Sequence, residues 1–278
     1  MSYRDILVQV DETPQSRPRA AAAAGLARRS GGVVSGVFLR SEFLNDVMAT
    51  EILAYMSPTD IDALLKDHAK AVDNAAEAAR ETFEQAAAEA GVTSSWLTIG
   101  GDNNHLLIDC ARRADLLVVP PVSKVTMARW RYPAGDLAMA VGGPVLVVGK
   151  DGCAPDFGSR VLVAWNGSRE SARALRDAWP ILTRAAQVDV LVVSPHGDGG
   201  PDGLLQRHLE RHGCKANIIL DRSRDEVAAE VLRWQVRELG SDLLVMGLFG
   251  RPRIQELVLG GVSQDMLHVP PAPLLISH

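Results

Sequence analysis

Aromatic side chains are scarce: five Phe, five Trp and three Tyr make up 5% of 278 residues. With so few rings to bury, an aliphatic core of strands and helices is favoured over an aromatic-rich β-sandwich. Cysteine is nearly absent too. Cys110, Cys153 and Cys214 are an odd number at no metal-ligand spacing, and they read as buried or incidental reduced thiols. No apolar run reaches the roughly 18 residues that suggest a membrane-spanning helix. Met1-Ser2-Tyr3-Arg4-Asp5 runs straight into Ile6-Leu7-Val8, without the basic start, apolar stretch and cleavage site of a signal peptide. A cytoplasmic protein without membrane association is expected. Basic residues are in deficit, 29 Lys and Arg against 34 Asp and Glu, for a net charge of −5. Nucleic-acid affinity comes largely from Lys and Arg neutralising phosphates, so nucleic acid is not an expected partner.

Signatures of catalysis are missing as well. There is no Gly-x-Ser-x-Gly nucleophile elbow. Neither the phosphate loop Gly-x4-Gly-Lys-Ser/Thr nor His-Glu-x-x-His occurs. No pair of acids stands out as a hydrolytic centre. His208 and His212 lie four apart on an expected helix, but they flank Glu210 and Arg211 on a polar face. His105, His196 and His268 are scattered. No metal site is expected.

What remains is ordinary globular material, 47% hydrophobic and 23% charged, long enough for about two domains. It is written twice. Asp5-Ile6-Leu7-Val8-Gln9-Val10-Asp11 matches Arg160-Val161-Leu162-Val163-Ala164-Trp165-Asn166. Ala114-Asp115-Leu116-Leu117-Val118-Val119-Pro120 matches Ser241-Asp242-Leu243-Leu244-Val245-Met246-Gly247, and Gly143–Val148 matches Ala272–Ser277. Three matches in one order mark an internal duplication. Domains are expected at 1–150 and 159–278, with Gly149–Gly158 as linker. The first copy carries about 28 more residues between its first two matches. The surplus fits about 41–70, whose Phe43, Leu44, Val47, Met48, Ile52, Leu53, Tyr55 and Met56 have helical spacing. This insertion covers core or an interdomain seam, or forms a lid or partner surface.

In the second copy, strands are expected near 160–165, 188–194, 216–220, 242–247 and 273–277. Helices are expected near 169–185, 201–212, 224–239 and 261–268. Unbroken apolar runs such as Val190-Leu191-Val192-Val193 suit strands covered on both faces. The fold class is therefore α/β: two tandem Rossmann-like domains, each a mainly parallel five-stranded sheet with helices on both faces. Asp102, Ser168, and Ser223 or Asp225 read as helix N-caps.

The most specific segment is Gly247-Leu248-Phe249-Gly250, nine further residues, then Gly260-Gly261-Val262-Ser263. It starts where a buried strand ends and finishes where the last helix begins. Glycines permit close backbone approach, and a helix N-terminus favours phosphate. A tight strand-to-helix loop would use the same glycines. At these residues the chain resembles the universal stress protein family in its tandem form. Gly247, Gly250 and Gly260 match its Gly-x2-Gly-x9-Gly pattern, and Trp165-Asn166-Gly167-Ser168 matches the turn after its first strand. Gly261 stands where the family has Ser or Thr. Asn166 stands where nucleotide-binding members usually have Asp.

The resemblance implies ATP or another adenine nucleotide in the second domain. Gly247, Gly250, Gly260, Gly261, Val262 and Ser263 would surround the phosphates. Asn166 would lie near ribose and base, and Val193 and Ser194 against adenine. Mg²⁺ is compatible with ATP there, although no carboxylate cluster specifies it. Arg251 and Arg253 are further phosphate candidates, or solvated arginines. The first domain is expected to be degenerate. Pro120 and Pro121 replace the first glycine and remove an N–H donor. Asp11 keeps the residue type but not its motif partners. Lys124, Arg129, Trp130 and Arg131 form a solvated loop there, or an anion or partner site. The resemblance further implies an intramolecular pseudo-dimer through Val145–Val148 and Leu274–Ser277; pairing of chains into a homodimer stays open. The expected action is nucleotide binding and regulation rather than catalysis, with slow ATP hydrolysis left open. The competing expectation is a nucleotide-free interaction module that uses the insertion and the seam to hold a protein partner.

Overall fold

Uninterrupted aliphatic stretches become the strands. In the computed structural model, residues 2–40, 56–100, 104–121, 133–149, 151–154, 156–193, 203–221, 228–248 and 262–278 are described. The first half runs β1 (Asp5–Gln9), α1 (Ser16–Ser30), β2 (Val33–Arg40), α2 (Pro58–Ala90), β3 (Ser94–Gly100), α3 (Asn104–Ala111), β4 (Leu116–Val119), α4 (Ala134–Val141) and β5 (Val145–Val147). The second runs β6 (Arg160–Trp165), α5 (Arg169–Asp177), α6 (Trp179–Leu182), β7 (Gln187–Val193), α7 (Gly203–Arg211), β8 (Ala216–Asp221), α8 (Ala228–Glu238), β9 (Leu243–Gly247), α9 (Val262–His268) and β10 (Leu274–Ser277). Pro180 splits the single helix expected over 169–185 into α5 and α6, because an interior proline gives up a helical hydrogen bond.

The strands form one ten-stranded sheet in the order β3-β2-β1-β4-β5-β10-β9-β6-β7-β8. Every neighbouring pair is parallel except β5 with β10, where Val145, Leu146 and Val147 face Ile276, Leu275 and Leu274 antiparallel. The two five-stranded units thus close each other's last edge, an edge that would otherwise invite foreign strands. Helices cover both faces. Ala20, Ala23, Phe83, Leu175, Ile181 and Leu209 belong to one apolar layer; Leu107, Leu137, Leu232, Val236 and Met266 belong to the other. Both layers run through both halves.

The duplicated Asp-Leu-Leu-Val segments share a device. Asp115 Oδ2 accepts the backbone N–H groups of Arg4 and Asp5 at 2.7 and 3.0 Å. Asp242 accepts those of Gly158, Ser159 and Arg160 at 3.0–3.1 Å. Each carboxylate pins the start of its half's first strand to the fourth.

Only part of the surplus expected over 41–70 is described. From Pro58 onward it forms the opening turns of α2, which continues for 33 residues to Ala90. Ser57 caps it, accepting the Asp60 N–H at 3.2 Å. Its buried positions begin only at Val72 and continue through Ala75, Ala79, Phe83, Ala86 and Ala87. The remainder of the expected insertion, 41–55, lies outside the described residues.

Candidate functional site

In the second half β7 and β8 lie on one side of β6, while β9 and β10 lie on the other. The strand order therefore reverses between β6 and β9, and ligands of doubly wound sheets bind beyond the carboxyl ends of strands at such a point. Two of the residues singled out from sequence meet there. The pairing of Ala164 with Met246 puts Gly247 level with Trp165, one residue short of Asn166.

Asn166 is exposed. Its Oδ1 accepts the Ser168 N–H at 3.0 Å, forming an Asx turn around Gly167, which has φ 75°. Ser168 then caps α5 as expected, its Oγ accepting the Ser171 N–H at 3.1 Å. Gly247 is required by packing. A Cβ there would lie 2.3 Å from the Glu170 carbonyl carbon and 2.4 Å from Ser171 N, so the first turn of α5 rests directly on its backbone. The packing reading of this glycine holds independently of any ligand. Glu170 is a buried carboxylate in that turn. Burial opposes its charge, but hydrogen bonds from Arg169, its own backbone N–H and Ser168 hold its pKa below the usual value. The helix N-terminus is a favourable place for that charge.

Val193 is the last residue of β7, paired with Asp221. Val262 and Ser263 open α9, and Ser263 is buried. Arg233 ties α9 to α8 by donating to the Asp265 carbonyl at 2.7 Å. The Leu248 N–H donates to the Ser277 carbonyl at 2.9 Å, fixing the chain as it leaves β9. Ser194, Gly250, Arg251, Arg253, Gly260 and Gly261 lie outside the described residues. So do Asp102, Ser223, Asp225 and the loop with Lys124, Arg129, Trp130 and Arg131.

The first half holds a group that the sequence reading missed. Asp11, just beyond β1, makes the same turn as Asn166: its Oδ1 accepts the Thr13 N–H at 2.9 Å. It also accepts the Thr13 hydroxyl, and the Ser16 hydroxyl at 2.7 Å. Its Oδ2 accepts Arg19 Nη2 at 2.8 Å. Arg19, 1% exposed, further donates through Nε to the Gln9 carbonyl at 2.7 Å and through Nη2 to Ser16 Oγ at 2.8 Å. Burial pushes the Asp11 carboxyl up, but Arg19, Thr13 and Ser16 outweigh it, and the pKa lies below its usual value. Asp11 thus has a full set of partners from its own half. The residue order gives no signal for this pairing, since Arg19 is one of four arginines in α1, with Arg17, Arg28 and Arg29.

His208 and His212 are engaged with an aromatic ring. His212 stacks on Trp179 at 4.6 Å between centroids, with the His208 ring 4.8 Å from His212. Among the described residues, no group of three or more His, Cys, Asp or Glu side chains is placed to hold a metal. No helix among them is long and apolar enough to cross a membrane.

Comparisons with known proteins agree with this architecture. Residues 159–278 match the model of the Universal stress protein family. A universal stress protein from Archaeoglobus fulgidus DSM 4304 shares the fold across 100% of this chain and 99% of its own, with a TM-score of 0.72 and 16% identity. A putative universal stress protein from Pseudomonas aeruginosa UCBPP-PA14 aligns over 99% of this chain and 93% of its own, with a TM-score of 0.55 and 15% identity. A functionally unknown protein from Pseudomonas aeruginosa PAO1 gives 99% and 92%, 0.56 and 14%. No curated protein matches the chain.

Proposed function

From the match of residues 159–278 to the Universal stress protein family model, we propose that the second half of the chain binds one adenine nucleotide, ATP or a relative, and acts by binding rather than by chemistry. One observation carries the reading. The strand that ends in Gly247 opens the Gly-x2-Gly-x9-Gly pattern at the reversal of strand order, with Asn166 exposed beside it. Asn166 can both donate and accept hydrogen bonds, as ribose hydroxyls require. Its neutrality also removes a carboxylate that would repel phosphate. The end of β7 at Val193, with Ser194 following, supplies the apolar flank for the base. Gly250, Gly260, Gly261, Val262 and Ser263 complete the phosphate side, and Mg²⁺ would accompany a triphosphate. Nucleotide occupancy would then bias a loop or an association surface through its differential affinity for two states.

Calorimetric titration of ATP, ADP and AMP, with and without Mg²⁺, tests this on the full chain and on Gly250→Asp. Saturable binding near one per chain in the wild type, lost in the variant, is the expected result. Absence of binding at millimolar nucleotide overturns it in favour of a nucleotide-free interaction module. The strands of the seam are fully buried. The outlying turns of α2, ahead of Val72, would then be the surface to examine.

A further inference from the structure

The duplication allows the two carboxyl-end sites to be compared position by position. Asp11 corresponds to Asn166, Thr13 to Ser168 and Ser16 to Ser171, and both halves build the same turn. Two further positions break the symmetry. Gln9 and Arg19 in the first half correspond to Ala164 and Ala174 in the second. The second half therefore has two methyl groups where the first has an amide and a guanidinium. Asn166 is exposed and Ala164 half-buried, whereas Asp11 is 7% exposed and Gln9 1%; Arg19 and its counterpart Ala174 are both 1% exposed.

We propose that Arg19 is a built-in occupant of the first half's site: its guanidinium takes up the Asp11 carboxylate, whose counterpart in the second half, Asn166, is exposed. The proposal rests on the second-half reading above for what the exposed residue at this turn is for. The closure itself rests on the first half's geometry. Arg19 satisfies the groups a ligand would otherwise engage. It takes Oδ2 of Asp11, the Gln9 carbonyl and Ser16 Oγ at 2.7–2.8 Å. Three donor contacts from one planar, preorganised group, buried with its counter-charge, use the acceptors that a competing ligand would need. This closure is independent of the loop at Pro120 and Pro121. Those two prolines offer no N–H to a phosphate, but they would not by themselves exclude a nucleoside.

Adenosine is accordingly the probe, since it needs no phosphate cradle. The full chain carrying Gln9→Ala, Asp11→Asn and Arg19→Ala has the second half's residues at these positions. It is expected to bind one more adenosine per chain than the wild type in equilibrium dialysis. Asp11→Asn with Arg19→Met removes the charges but keeps the bulk, and it is expected to match the wild type. An unchanged stoichiometry in the folded triple variant, or an extra site in the bulky variant, overturns the inference. Failure of the wild type to bind nucleotide would instead sink the function proposed above, because the closure is read from the difference between variants. A second readout needs no nucleoside. Arg19→Ala should be raised in melting temperature by added ethylguanidinium, which refills the vacated space, while the wild type should not. Equal responses of the two proteins count against Arg19 as an occupant.

Discussion

A buried arginine is costly to keep unless its donors find acceptors, and Nε and Nη2 of Arg19 find three within ten residues of chain. The carboxylate of Asp11 receives the guanidinium, two hydroxyls and a backbone N–H. Such a pair contributes little when compared with an apolar replacement, but breaking it leaves a stranded charge worth about 3–5 kcal/mol. The sign of its pH dependence follows from Asp11, whose pKa is lowered on folding. A lowered carboxyl contributes stability that is fully present above its unfolded value, about 3.9, and is lost as pH falls through the folded value. Urea midpoints measured between pH 6 and pH 2 should therefore fall more steeply for the wild type than for Asp11→Asn with Arg19→Met. Parallel curves would show that the pair makes no net contribution to acid sensitivity. Nothing in the residue order announces this pair. A charged side chain in an alanine-rich helix reads as solvated until the strand behind it is placed.

Among elements, α2 shows the limit of pattern reading most clearly. The apolar residues of 43–56 drew the expected helix toward 41–70. The described helix begins with Ser57-Pro58, a hydroxyl cap followed by a proline whose missing N–H is not needed there, and it runs to Ala90, 20 residues past the expected end at 70. Strand positions, by contrast, were readable to within a residue or two. Runs such as Val190–Val193 leave few alternatives when both faces are covered. The site was readable in part. The register of β6 with β9 sets Gly247 level with Trp165, but the contact of Gly247 with Glu170 and Ser171 depends on how α5 crosses the sheet, which spacing does not encode. The element also sets its own prediction. Because burial in α2 starts at Val72, its first turns and the global fold should be uncoupled. Ser57→Ala should remove about 1 kcal/mol from the protection of amides near the helix start. In hydrogen exchange, protection should drop over 58–70, while the melting temperature and the amides beyond Val72 stay unchanged. A matching loss at both ends of α2 would show one rigid rod.

The whole molecule is held by more than the pairing of β5 with β10. The Tyr3 hydroxyl donates to the Asp177 carbonyl at 2.5 Å, and Ser277 Oγ donates to the Asp177 carboxylate at 2.8 Å. Arg29 donates to the Phe157 carbonyl at 2.8 Å and lies over the Phe157 ring, while Arg173 reaches the Gly142 carbonyl. With both apolar layers continuous across the seam, neither half presents a finished surface on its own. Differential scanning calorimetry should therefore record one transition whose calorimetric and van't Hoff enthalpies agree. Two resolved peaks would mean that the halves melt as independent units.

The single antiparallel step in the sheet also gives the molecule a direction. Strands β1 and β4 run with β5, strands β6 and β9 run with β10, and those two sets oppose each other. The carboxyl ends of the two halves therefore open away from each other, at opposite rims of one slab. With Arg19 stoppering one rim, the duplicated chain is a one-ended vessel. On the function proposed above, ligand enters and leaves at one rim only, an asymmetry that two identical open halves would not provide.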